Sequence, residues 1–132
     1  MTSPATEPPE TGDAVADHRA QAAYFLQRGR EFLADGDLHQ ASEKGWGAAA
    51  HIVKAVAASY GLRYESHDEF DYILEQASAL ARNDRIHDLG NAAHYLHRNY
   101  YKRRMFLNSD PIRRNLDNVA ELVGLLSPLC RS

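Results

Sequence analysis

Five segments of this chain place apolar residues three and four positions apart, which is the spacing that gives a helix one apolar face. The most regular segment opens with Ser66 and Glu69, a capping-box pattern ahead of an apolar stripe. No segment shows the strict alternation of a half-buried strand. Beyond residue 9 the only prolines are Pro111 and Pro128, which stand where a helix can begin or end. The sequence therefore predicts an all-α fold with almost no β structure.

The breaks between these segments set the expected helix bounds. Asp35-Gly36-Asp37 ends the first helix, Gly61 is a natural left-handed C-cap for the second, and Asn83 with Asp84 can cap the fourth. The short links predict a five-helix antiparallel bundle. In the fourth helix we expect Tyr100 to face inward. The expected helices run over residues 17–34, 38–60, from the Ser66 cap to Ala81 with Leu80 in the apolar stripe, 85–107, and from the Ser109 cap to Pro128.

The N-terminal stretch differs in composition from the rest. Residues 1–16 combine Pro4, Pro8 and Pro9 with carboxylates and small side chains, so they have too little apolar surface to offset the entropy cost of ordering. We predict a disordered acidic tail over residues 1–16. The remaining residues, 17–132, are enough for one domain.

The net charge of −3 is unevenly distributed. Residues 1–17 hold four carboxylates and no Lys or Arg, which leaves 15 basic residues against 14 of the 18 acidic ones in the body of the chain. An anionic ligand is therefore not excluded. The single cysteine, Cys130, rules out an intrachain disulfide or a multi-cysteine zinc site. Without a signal peptide or a membrane-length apolar run, we expect a cytoplasmic protein with no membrane contact.

Three segments give the chain a family resemblance. They are FLADGDLHQASEKGWGAAAHIVKAVA, the following YESHDEF, and the fourth-helix run AAHYLHRNYY. Over residues 20–127 the chain resembles the HEPN superfamily of small helical domains, and within it the PaREP branch. The resemblance implies a homodimer. It also implies either a metal-independent ribonuclease, often a toxin, or a non-catalytic partner of a separately encoded protein such as a nucleotidyltransferase.

Catalytic members of that superfamily use an Arg, a polar residue, and a His four to six positions beyond the Arg. Arg82, Asn83 and His87 match this pattern. Such residues suit RNA cleavage because a histidine can deprotonate the 2′-hydroxyl and an arginine can stabilise the phosphorane. Alignment on LHRNYY instead makes His97 the motif histidine, in a register that has no arginine at the arginine position. The alignment that makes His97 the motif histidine agrees better with the distance from that histidine to the last helix. Both alignments stay open.

The predicted fourth helix also suggests a nucleic-acid surface. His87, Asn91, His94 and Arg98 share one polar stripe, and a second stripe beside it leads into the run HRNYYKRRMF. Basic residues interleaved with aromatic ones suit phosphate contacts and base stacking. A solvated helix face, in a structural adaptor without a specific ligand, explains much of the same pattern. The predicted contacts to RNA or nucleotide are His94, Arg98, Tyr101, Lys102, Arg103 and Arg104.

Three other features favour structural roles. His94 and His97 have one-turn spacing, but no carboxylate lies within a turn on their faces, so we predict neither a metal site nor a cofactor. His51 is expected to be packed or hydrogen-bonded. Trp46 is expected in the core or at an interface rather than as a platform for substrate.

Overall fold

The structure, a computed structural model, describes residues 12–130. Within that range the chain forms five α-helices and two 3-10 turns and contains no strand, which confirms the all-α bundle. The helices are α1 Gly12–Ala34, α2 Leu38–Tyr60, α3 His67–Ala81, α4 Arg85–Asn99 and α5 Ser109–Leu126, and the 3-10 turns are Arg104–Phe106 and Ser127–Leu129.

Helix α2 is the centre of the bundle and contacts all four of the other helices. More than half of its residues are buried, and most of them are alanines, which let neighbouring helices approach closely. One such close approach is at Gly45, where an added Cβ atom would lie 2.6 Å from side-chain carbons of both Leu96 and Leu116. Helices α4 and α5 therefore pack directly on this glycine.

The predicted stop signals act as expected. Gly61 adopts the left-handed conformation at the end of α2, with φ of 66°, and its N–H donates to the Ala57 carbonyl. The Asn83 side-chain oxygen accepts from the Arg85 N–H at 3.1 Å and so caps the start of α4. Asn83 thus has a structural role that does not depend on a catalytic one.

Helix α1 begins at Gly12, five residues earlier than predicted. The extension is stabilised by Val15, which is 2 % exposed and belongs to the core. Part of the predicted tail, residues 12–16, is therefore helical. The rest, residues 1–11, lies outside the described residues.

The predicted end of α4 at residue 107 is wrong, since the helix ends at Asn99. The carbonyl of Lys102 bonds to the His39 ring nitrogen Nε2 at 2.7 Å, and this contact replaces the helical bond that the carbonyl would otherwise accept. The chain then passes through the turn Arg104–Phe106. Tyr100, predicted to face inward, is 55 % exposed.

Three smaller expectations are also corrected. Leu80, predicted in the apolar stripe of α3, is 54 % exposed. Helix α5 is capped by Asn108 rather than Ser109, through a bond from the Asp110 N–H. At the start of α3 the Ser66 hydroxyl contacts the Glu69 carboxylate at 3.2 Å instead of a backbone N–H.

Candidate nucleotide-binding face

Three imidazole rings and one indole ring converge where α2, α3 and α4 meet. Trp46 of α2 lies 4.6 Å from His97 and 5.2 Å from His67, measured between ring centroids. His67 lies 4.8 Å from His97 and 5.9 Å from His94. We call these four residues the histidine–tryptophan cluster. Three helices must fold together to form it, so it depends on the tertiary structure.

The cluster rests on the core and faces solvent. The fully buried Phe70 packs beneath it, with its ring 5.1 Å from the Trp46 ring. Trp46, His94 and His97 are half-buried, and His67 is exposed. A ligand can therefore reach π-faces and ring nitrogens held in place by packing on an apolar floor.

Asp71 orients one of the three imidazoles. Its carboxylate oxygen Oδ1 lies 2.7 Å from Nε2 of His94. An ionised carboxylate can only accept, so Nε2 donates the hydrogen bond, and in the neutral ring Nδ1 is left as an acceptor. This contact gives His94 one defined tautomer and ring position.

The pKa of His97 is lowered by burial first, and then by the nearby His67 and His94 rings. The neutral form of His97 is therefore favoured, with one nitrogen able to accept a hydrogen bond or a proton. Tyr101 stands edge-on to His97 at 5.9 Å between ring centroids and is 77 % exposed. It extends the aromatic surface from the cluster into the chain that follows α4.

That following chain, the basic–aromatic segment (residues 98–106), carries four large exposed side chains among basic ones. Arg98 and Arg103 are exposed, and the Lys102 ammonium lies 5.4 Å from the centre of the Tyr95 ring. Arg104 instead lines a cavity of about 240 Å³ with Asp35 and other residues of the α1–α2 link. The large exposed side chains are Tyr100, Tyr101, Met105 and Phe106.

The residues predicted to be catalytic or to contact RNA thus lie in two separate places. His94, His97 and Tyr101 belong to the cluster or adjoin it, and Arg98, Lys102 and Arg103 follow in the basic–aromatic segment. Arg82, Asn83 and His87 lie elsewhere, at the α3–α4 link.

The environment of His87 is acidic. Its Nε2 lies 3.9 Å from a Glu75 oxygen and its Nδ1 4.0 Å from an Asp88 oxygen. The cavity beside it is also lined by Asp84, whereas Arg82, at the left-handed C-cap of α3 with φ of 53°, does not line it. A phosphate placed here would meet carboxylates.

Sequence reasoning missed His67 and Asp71, and it assigned Trp46 only to the core or an interface. His67 is the first residue of α3, and the sequence gave no sign that its ring would meet two histidines from another helix. Trp46 does pack on the core, but its ring also lies 4.6–6.0 Å from three imidazole rings, measured between centroids. His51 is hydrogen-bonded as expected, with its Nδ1 3.2 Å from that of His18. In the part of the chain that the structure describes, no three His, Cys, Asp or Glu side chains are arranged to hold a metal ion.

The sequence profile of the Archaeal PaREP1/PaREP8 family matches residues 17–123, which include the cluster and the basic–aromatic segment. The chain belongs to this family. As a PaREP1/PaREP8 protein it also resembles the crystal structure of a protein from Sulfolobus solfataricus, with a TM-score of 0.70 and 24 % identity. That similarity covers 83 % of this chain and 95 % of the other, and it concerns the fold. No curated protein matches the sequence. Among residues 12–130 no helix has the length and apolar character needed to span a bilayer.

Proposed function

We propose that this PaREP1/PaREP8 protein is a homodimeric, HEPN-like domain that binds single-stranded RNA or a nucleotide. The binding face consists of the histidine–tryptophan cluster and the adjoining basic–aromatic segment. The observation that carries the proposal is the contact between His97 and Tyr101, which joins a packed set of rings to an exposed tyrosine followed by basic residues.

Stacking is the first contribution. Unpaired bases stack on aromatic and imidazole rings without strong sequence preference, because every base has a π-face. Tyr101 offers the most exposed ring, and Trp46 and His97 offer rings whose positions are fixed by packing. A base on Tyr101 has further rings within reach toward His97.

Phosphate contact is the second contribution. Arg98, Lys102 and Arg103 are exposed and close in sequence to Tyr101, so they can contact the backbone of a strand whose bases stack there. The neutral His97 could also accept the proton of a 2′-hydroxyl, which leaves a route to weak metal-independent cleavage. Arg82 is at the other end of α4, so such cleavage would lack the arginine of the first register.

Fluorescence polarisation of a labelled oligouridylate across a salt series tests the binding proposal. We expect Tyr101→Ala to weaken binding by roughly tenfold, within the range of about 1–3 kcal/mol for one stacked base. Arg103→Ala should make the slope of log affinity against log salt concentration shallower by about 1, which corresponds to the loss of one phosphate contact. Arg114→Ala removes an exposed arginine from α5 and is the matched control. Binding that is insensitive to salt, or equally reduced by Arg114→Ala, would contradict the proposal.

A second function, that of a non-catalytic protein-interaction module, is favoured by Met105 and Phe106. These side chains are 75 % and 68 % exposed, which is unusual for neighbouring apolar residues without a partner. Light scattering of Phe106→Ser distinguishes self-association from contact with a different protein. A loss of dimer mass assigns the segment to self-association, whereas an unchanged mass together with absent RNA binding favours a different protein partner.

A further inference from the structure

The three imidazoles of the histidine–tryptophan cluster are close neighbours. The centroid of His67 lies 4.8 Å from that of His97 and 5.9 Å from that of His94. We propose that these three rings bind a phosphate monoester, such as the group at a 5′-phosphorylated RNA end or on a free mononucleotide. The inference rests on the proposed function and names the part of the nucleic acid that the cluster recognises.

The chemistry of three neighbouring imidazoles favours an anion over a metal ion. Among residues 12–130 no three His, Cys, Asp or Glu side chains are placed to hold a metal. A protonated imidazole instead carries a positive charge and two N–H donors. A phosphate group has several oxygens that can each accept such a bond, so rings at this spacing can contact different oxygens of one group.

Asp71 limits the charge of the cluster. Its carboxylate holds Nε2 of His94 at 2.7 Å, so in the protonated ring Nδ1 is the N–H left to donate to a ligand. Three protonated rings against one carboxylate give a net charge of about +2, which matches a phosphate monoester at about −1.5 to −2. An internal phosphodiester carries only one negative charge. The cluster therefore favours the monoester, and the basic–aromatic segment can contact the internal phosphates.

The other neighbours of these rings leave that balance in place. Asp68 and Arg98 follow His67 and His97 in sequence, and both are exposed and of opposite sign. Tyr101, in edge-on contact with His97, is neutral near pH 7. On the side of α2 the rings contact Trp46, which has no charge.

Ligand binding should take up protons. The pKa of His97 is lowered by burial first, and then by the His67 and His94 rings, so the free site favours the neutral form. An anion among the rings favours the protonated form. By linkage, affinity for the monoester should rise as pH falls through the histidine range near about 6.5. Below about pH 6 the monoester loses its second charge, so the preference for it should be greatest just above that pH.

Fluorescence polarisation tests this with two labelled oligouridylates that differ only in a 5′-phosphate or a 5′-hydroxyl. We expect the 5′-phosphate to tighten binding by about tenfold near pH 6.5, as one charge-assisted hydrogen bond does, and by less near pH 8. Unlabelled uridine 5′-monophosphate is the competitor that separates the two sources. Displacement as effective as that by the unlabelled phosphorylated oligomer identifies a free nucleotide as the ligand, and weaker displacement identifies an RNA end.

Three variants assign the preference to the rings. His67→Gln, at an exposed position, and His97→Gln should each reduce it to about twofold or less, because each removes one charged donor. His87→Gln is the matched control, since it removes an exposed histidine at the other end of α4 and should keep the preference. A preference that survives both His67→Gln and His97→Gln overturns the inference. Equal binding of the two oligomers by the wild type at every pH also overturns it and leaves the proposed function standing, whereas binding of neither oligomer overturns both.

Discussion

Two glycine-to-alanine substitutions should have opposite effects, although both lie within α-helices. Alanine is favoured over glycine in a helix interior by about 1 kcal/mol. Gly124 of α5 has no atom within 4 Å of the position of an added Cβ, so Gly124→Ala should gain about this amount. At Gly45 the added Cβ would lie 2.6 Å from side-chain carbons of Leu96 and Leu116, both fully buried.

Overpacking of this kind costs about 1–3 kcal/mol. Subtracting the helix-propensity gain, we expect Gly45→Ala to lie between neutral and about 2 kcal/mol destabilised. The two variants should therefore differ by about 1–3 kcal/mol in free energy of unfolding, with Gly124→Ala the more stable. Urea denaturation followed by circular dichroism measures this difference, provided that the m-value is unchanged. Equal stabilisation of both variants would refute the close packing of α4 and α5 on α2.

Three further predictions concern stability. Ser78→Ala should raise the free energy of unfolding by about 1 kcal/mol in chemical denaturation, because it removes an unsatisfied buried hydroxyl and improves helix propensity; a loss of stability would mean that the hydroxyl has a partner. Arg82→Gly should stabilise by about 1 kcal/mol, since Arg82 adopts a left-handed conformation that glycine accepts without strain, and an unchanged melting temperature would count against this. Burial lowers the pKa of both His51 and His97 in the folded state. Histidines in the unfolded chain have a pKa of about 6.5. The stability contributed by the two rings is therefore complete above this pH, and it is lost as pH falls below it, because the unfolded chain then binds protons more readily than the folded one. Urea midpoints at pH 7.5 and 5.5 should differ less in His51→Gln than in the wild type.

The helices could be predicted from sequence because their signals are local. The bounds of α2 follow from Asp37 and Gly61, which act on their own backbone neighbours. The end of α4 could not be found this way, since the bond that takes the carbonyl of Lys102 comes from His39, 63 residues away in sequence. Tertiary contacts override periodicity at such a position.

The same distinction between local signals and tertiary contacts applies to the candidate site. His94, His97 and Tyr101 could be identified because they share one helix and the residues that follow it. His67 and Asp71 could not, since their relation to α4 arises only when α3 packs against it. Arg82 and His87 matched a motif in spacing alone, and the carboxylates that surround His87 come partly from a different helix.

The central claim is that RNA or nucleotide binds at the histidine–tryptophan cluster, and the fluorescence of Trp46 tests it most directly. Trp46 is the only tryptophan in the chain, so any change in indole emission reports on this position. Titration with a short oligouridylate should change the emission saturably, with the same midpoint as in polarisation and a weaker midpoint in Tyr101→Ala. Oligonucleotide binding detected by polarisation without any change in Trp46 emission would contradict the claim.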